Sequence, residues 1–124
     1  MKKMNSTTWM IILAIVVFGG LIGAAVYQKN APSIYDDFAQ CLNDNGAKMY
    51  AAYWCPYCER QEAEFGSAFR FINRVECSSP GSNTFDLCPD IENTPTWEKA
   101  DGERIVGAVP FSTLAEEYGC ELPS

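Results

Sequence analysis

The 124-residue chain predicts an α/β domain, a small mixed β-sheet flanked by helices, carried behind one N-terminal transmembrane helix. Three observations predict it. Apolar residues recur at helical spacing in several separate segments, short β-type runs lie between them, and one long uncharged run stands near the N-terminus. No internal repeat or low-complexity tract competes with this, and about 95 residues beyond the uncharged run leave room for one domain.

Trp9 to Tyr27 carries no charge and is bounded by aromatics suited to the two bilayer interfaces. As a helix it is about 28 Å long, close to the hydrocarbon thickness. Lys2, Lys3 and the α-amine precede it, while Lys29 follows and Asp36 and Asp37 come soon after. That bias places the N-terminus in the cytoplasm and the remainder on the extracytoplasmic side, periplasmic or lumenal. The resulting plan is a cytoplasmic N-terminus (1–8), a transmembrane anchor (9–27), a linker (28–32) and the domain (33–124). A cleaved secretory signal is the alternative, since Gly23-Ala24-Ala25 offers small residues at a cleavage site. Either way the domain is exported. The small-residue spacings Gly19/Gly23 and Gly20/Ala24 are read as ordinary membrane-helix composition.

The domain begins with a helix capped by Ser33, with Asp36 as a weak capping-box partner and Ile34, Phe38, Cys41 and Leu42 as its buried stripe. Asn43 to Gly46 stops it, Gly46 suiting the left-handed cap position. Lys48–Tyr53 is a short strand. Pro56 to about Asn73 is a helix whose Phe65, Phe69 and Ile72 face the core, with Gly66 marking a kink or a close contact. Val75–Cys77 is a brief strand, residues 78–83 form a turn-rich loop, and 84–91 hold one helical turn. Thr94–Glu98 and Arg104–Val109 form a strand pair about an Asp101-Gly102 turn. Ser112 caps a last helix through Tyr118, closed by Gly119. A strand–helix–strand unit followed by an antiparallel pair makes the sheet mixed. Trp97 is placed in the core.

Charge and composition exclude several functions. There are 9 basic and 16 acidic residues, net −7, and beyond residue 27 the balance is 7 against 16, net −9. A nucleic-acid reader needs a basic face, so nucleic acid is not a partner. The chain has no histidine, which removes imidazole bases, Cys-His nucleophile pairs and His-containing zinc sites. It has six cysteines. An exported domain keeps its disulfides, so cysteine is the residue to follow.

Cys55-Pro56-Tyr57-Cys58 lies at the strand-to-helix junction. Cys55 falls at the helix N-cap, where unpaired N–H groups and the helix dipole stabilise a thiolate, the nucleophilic form. Cys58 lies one turn on, within reach of a disulfide, and Pro56 suits the first helical turn. The pair can cycle by thiol–disulfide exchange. Zinc is a second reading of Cys-x2-Cys, but Cys77 and Cys88 are too far apart in sequence to supply the second close pair; an inert structural disulfide is a third. No metal or other cofactor is called for. Trp54 and Tyr57 border the sulfur as an apolar docking patch. Glu59, Glu62 and Glu64 favour the helix N-terminus but oppose a thiolate beside it. Thr94-Pro95 reads either as a cis turn or as an edge-strand proline.

Trp54 to Cys58 with a later Thr94-Pro95-Thr96 resembles the thioredoxin superfamily. Phe38–Leu42, Lys48–Pro56, Phe65–Phe69, Val75–Cys77 and Pro95–Glu98 together resemble the thioredoxin-like domain that accompanies, often fused, bacterial and plastid homologues of vitamin K epoxide reductase. The resemblance spans nearly all of residues 34–120. It implies that Cys55 attacks, Cys58 resolves, and Pro95 is a cis-proline facing them, with Trp54, Pro56, Tyr57 and Thr94 at the docking surface. It also implies electron flow from exported protein thiols to a quinone-linked, vitamin K epoxide reductase-like membrane partner. Met49 stands where many cytosolic thioredoxins carry a buried proton-relaying aspartate; Glu59 or water is left to replace it.

The other four cysteines allow three connectivities. Cys77–Cys88 would close a ring of about 12 residues and Cys41–Cys120 would tie both ends of the domain, about 3 and 4 to 5 kcal/mol in the chain-entropy model. The function expected is an exported thiol–disulfide oxidoreductase of oxidative folding. Its rivals are a reductant or isomerase fed by a membrane donor, a glutaredoxin-like enzyme sharing the Pro-Tyr centre, and a redox-inert stapled binding module.

Overall fold

The structure, a computed structural model, describes residues 2–123. The α-amine of Met1 and the last residue of the expected domain, Ser124, lie outside the described residues. The chain divides between Ala31 and Pro32 into two compact units.

The first unit is helix α1, Ser6–Asn30, with a mean hydropathy of 2.6 over its most apolar window and no buried residue. By length and composition it is able to cross a membrane; a signal sequence has the same properties. Gln28 to Asn30, assigned to the linker from sequence, continue the helix instead, and Asn30 Nδ2 donates to the Val26 carbonyl at 2.9 Å. The helix stops before Pro32, because a residue preceding proline is pushed out of the helical region.

The second unit contains a four-stranded sheet in the order β2-β1-β3-β4. Its strands are β1 (Lys48–Ala51), β2 (Asn73–Glu76), β3 (Thr96–Glu98) and β4 (Arg104–Val106). β1 pairs parallel with β2 and antiparallel with β3, which pairs antiparallel with β4. The helices are α2 (Asp36–Asp44), α3 (Pro56–Phe65) and α4 (Phe111–Tyr118), with a 3-10 helix at Gly66–Phe71. α3 and the 3-10 helix make the crossover between the parallel strands β1 and β2, as a parallel pair requires. The domain is therefore the mixed, helix-flanked sheet that the patterning predicts.

Several boundaries differ from the sequence reading, each for a local reason. α2 starts at Asp36 rather than after Ser33. Ser33 N–H donates to Asp36 Oδ2, Asp36 N–H to the Ser33 carbonyl and Tyr35 N–H to Ser33 Oγ, but these bonds close a turn ahead of the helix. Ile34 lies in that turn, 73% exposed, and the buried stripe is Phe38, Ala39 and Leu42. Gly66 (φ +58°) ends α3, so the long helix expected through Asn73 is an α-helix followed by a 3-10 turn. Residues 84–91 are turns, not a helical turn. β4 ends at Val106 because Gly107 takes φ +100°, and α4 begins at Phe111 with Pro110, not Ser112, at its N-cap.

Trp97, Phe38, Phe65, Leu42, Met49 and Leu114 are fully buried and form the main core. Phe111 packs on Phe65 (4.6 Å between centroids) and on Phe38 (5.4 Å), drawing α4 onto α3 and α2. Met49, in the position discussed above for a relay acid, is a core side chain of the inner strand β1. Arg74 on β2 pairs with Glu62 on α3 and with its neighbour Glu76 (2.6 Å), so one of the acids crowding the helix start is already neutralised.

Candidate functional site

β1 delivers the chain to the site. Its last residue is Ala51, and the turn that follows is closed by the Cys55 N–H donating to the Ala52 carbonyl at 3.0 Å. α3 then starts at Pro56, whose missing N–H is not needed at a helix start. Cys55 is thereby the N-cap residue, with extended backbone (φ −84°, ψ 116°) and its sulfur turned back over the helix end. The Cys58 N–H donates to Cys55 Sγ at 3.3 Å. Sulfur thus does the work that a serine or aspartate oxygen usually does at this position.

The opposite wall is the turn before β3. The Cys55 thiol lies 3.4 Å from the Thr94 carbonyl oxygen, to which it donates. The Thr94–Pro95 peptide bond is cis, and Pro95 is fully buried ahead of β3. Since β3 lies between β1 and β4, Pro95 precedes an inner strand, and the edge-strand reading does not apply. Thr96 Oγ1 donates back to the Asn93 carbonyl at 2.7 Å, closing the turn on itself.

The two cysteines share a site but have opposite acidities. Burial disfavours the Cys55 thiolate. Hydrogen bonding from Cys58 and Thr94 and from the Cys58 and Tyr57 amides outweighs that, holding Cys55 below the ordinary cysteine value. Burial pushes the Cys58 thiol up, to about 12, and its hydrogen bond to Cys55 adds to the shift. The thiolate form is therefore favoured at Cys55 and disfavoured at Cys58.

The residue before Cys55 is held from the far side of β2. Trp54 Nε1 donates to Ser78 Oγ at 2.8 Å, and its ring stacks on Phe85 (5.4 Å, 15°). Tyr53 OH donates to the Ser82 carbonyl at 2.8 Å and accepts from the Gly81 N–H. The loop 78–87 is thus strapped across Tyr53 and Trp54, and the Cys77–Cys88 disulfide closes its base (Cα–Cα 5.0 Å). Trp54 keeps 38% of its surface exposed and Tyr57 56%, the latter with Arg60 5.4 Å over its ring.

The structure brings Cys55, Pro56, Cys58, Thr94 and Pro95 into one site, with Trp54 and Tyr57 exposed on the flanking positions. The second disulfide, Cys41–Cys120, joins α2 to the segment after α4 (Cα–Cα 5.9 Å) and lies outside the site. Cys77 and Cys88 are bonded to each other, so they do not join Cys55 and Cys58 in a four-sulfur metal set. Three contributors escape sequence reading: Ser78 and Phe85 against Trp54, and Gln61, which the sequence presents only as a helix former. The signal available for Gln61 was an amide on the face of α3 that also carries Cys58 and Phe65.

No protein-family model matches the chain. Among curated proteins it is similar to the thiol-disulfide oxidoreductase LTO1 of Arabidopsis thaliana, 38% identical over 91 residues. The match covers 68% of this chain and 24% of that protein, so the chain spans about a quarter of the relative's length.

Proposed function

We propose that the chain is a thiol–disulfide oxidoreductase: a thioredoxin-like domain, exported and membrane-anchored, that oxidises protein thiols during folding. The observation that carries the reading is the sulfur of Cys55 at the N-cap of α3, 3.3 Å from the Cys58 amide and with the Cys58 thiol beside it. Its likeness to a protein named for this activity supports the same reading.

In the oxidised form Cys55 and Cys58 share a disulfide. A substrate thiolate attacks Cys55 Sγ; a substrate–Cys55 bond forms, the Cys55–Cys58 bond breaks, and Cys58 leaves and takes a proton. A second substrate thiolate then attacks the substrate sulfur of the mixed disulfide and expels Cys55. The lowered pKa of Cys55 helps this step, since a more acidic thiol leaves faster. Two electrons and one proton stay on the pair, as Cys55 thiolate and Cys58 thiol, and the other proton goes to solvent. Pro95 shapes the surface on which the substrate chain lies, with Trp54, Pro56, Tyr57 and Thr94 around it. Reoxidation passes the two electrons to a quinone-linked membrane protein resembling vitamin K epoxide reductase. Cys41–Cys120 and Cys77–Cys88 are structural. The domain works on the extracytoplasmic side, tethered by α1.

Trapping tests this. With Cys58→Ser the mixed disulfide has no internal resolving thiol, so membranes expressing it should yield adducts of Cys55 with partner proteins that dithiothreitol releases. Cys55→Ser should yield none. Absence of adducts from Cys58→Ser would contradict the assignment.

A further inference from the structure

Gln61 is fully buried, one turn after Cys58 on the inner face of α3. An apolar residue fills such a place at no cost in polar desolvation, so a carboxamide there needs partners. It has four. Its Oε1 accepts from the Val109 N–H at 2.8 Å and from Trp97 Nε1 at 3.4 Å. Its Nε2 donates to the Val109 carbonyl at 3.2 Å and to Glu64 Oε2 at 3.4 Å. The pairing with Val109 imitates one rung of a β-ladder, because one planar group offers both a donor and an acceptor to the same residue.

Val109 belongs to the segment 107–110 that links β4 to α4. At the near end of that segment the Gly107 N–H donates to the Pro95 carbonyl at 2.8 Å. Pro95 follows Thr94, whose carbonyl accepts from Cys55 Sγ. The contacts close a circuit from the Cys55–Cys58 helix through Gln61 to Val109, along to Gly107, across to Pro95 and Thr94, and back to the Cys55 sulfur. Gln61 is the one side chain in it that ties the helix to the 107–110 segment.

We propose that Gln61 is a positioning residue. It pins segment 107–110 to the Cys-x-x-Cys helix, and so holds the Thr94–Pro95 turn in the place where a protein thiol must dock beside Cys55. The inference rests on the oxidoreductase reading above and adds a specificity role: Gln61 acts on extended peptide substrates and not on the sulfur chemistry. A small dithiol needs only the sulfur, whereas a peptide needs the surrounding surface as well.

The test is single-turnover reduction of the oxidised full chain in detergent, by a two-cysteine peptide and separately by dithiothreitol. Gln61→Leu removes every bond to Val109; Gln61→Glu keeps the acceptor oxygen and loses the donor. The half-saturating peptide concentration should rise about tenfold in Gln61→Leu and about threefold in Gln61→Glu, tenfold corresponding to about 1.4 kcal/mol. The dithiothreitol rate and the alkylation rate of Cys55 should stay within about twofold of wild type, a split that a merely structural role would not produce. If Gln61→Leu lacks a cooperative thermal transition, Gln61→Glu decides alone. Unchanged peptide half-saturation, or equal losses with peptide and dithiothreitol, would overturn the inference while leaving the oxidoreductase reading intact. A wild-type chain reduced by neither reagent would overturn that reading, and the inference with it.

Discussion

Cys55 and Cys58 open a helix, whereas Cys77 and Cys88 stand at the two feet of a loop leaving β2. Burial does not separate these pairs: Cys55 is 4% exposed and Cys58 1%, against 0% for Cys77 and 7% for Cys88. What separates them is the backbone each sulfur meets. Cys55 Sγ faces the Cys58 N–H at the positive end of α3, while the backbone atom close to Cys77 Sγ is the Val75 carbonyl oxygen at 3.9 Å, which offers no proton. Both sulfurs have a carbonyl nearby, Thr94 at 3.4 Å for Cys55 and Val75 for Cys77, but Cys55 Sγ also accepts an amide N–H, and it is the amide that favours the anion. On the proposed function, the same element exchanges electrons in one place and tethers a loop in the other. The loop it tethers is the strap across Tyr53 and Trp54, so the inert pair supports the reactive one at one remove.

Exchanging the pairs' roles by mutation gives the largest contrast. Cys55→Ser should abolish single-turnover reduction by a peptide dithiol, while the double variant Cys77→Ala/Cys88→Ala should still be reduced at a measurable rate. Comparable activity in the two would erase the distinction. Stability should show the reverse order. Urea unfolding should lose about 4 to 5 kcal/mol for Cys41→Ala/Cys120→Ala and about 3 kcal/mol for Cys77→Ala/Cys88→Ala, following the lengths of chain each bond closes. Similar losses from both would mean that native contacts rather than loop length set their worth.

The sequence showed the reactive region more clearly than the supporting one, and the reason is range. Cys55, Pro56 and Cys58 act through one turn of helix, so their spacing alone carries the chemistry. The short apolar run at Lys48–Tyr53, which the strand follows as far as Ala51, and the stripe of Phe38 and Leu42 are equally local. Glycine set boundaries only partly legible in advance: Gly66, read as a kink or close contact, ends α3 outright, and Gly107, which carried no signal, shortens β4 through its positive φ. Ser33 bonded as a cap residue should, yet it capped a turn and left Ile34 exposed. Gln61, Ser78 and Phe85 were illegible because their partners lie 24 to 48 residues away or are supplied by another element altogether.

The smallest expected effect sharpens the link between the two regions. Ser78 is buried, accepts from Trp54 Nε1 and donates to the Thr84 carbonyl. Ser78→Ala leaves Trp54 Nε1 without its partner, while the Thr84 carbonyl keeps the Ser82 hydroxyl at 3.3 Å, and should cost about 1 kcal/mol. It should also raise the fluorescence mobility of Trp54 without changing the acidity of Cys55. A shift in Cys55 acidity would show that the strap, and not only the helix end, sets the thiolate.

The acidity itself is the most direct measurement. In the reduced full chain, the rate at which iodoacetamide alkylates each sulfur should be followed against pH by peptide mass mapping. Because Cys55 is held below the ordinary cysteine value, its rate should reach its plateau at a lower pH than that of a free cysteine. Cys58, pushed up to about 12, should stay unmodified across that range. A Cys55 profile that coincides with free cysteine or lies above it, or a Cys58 that reacts first, would contradict the account.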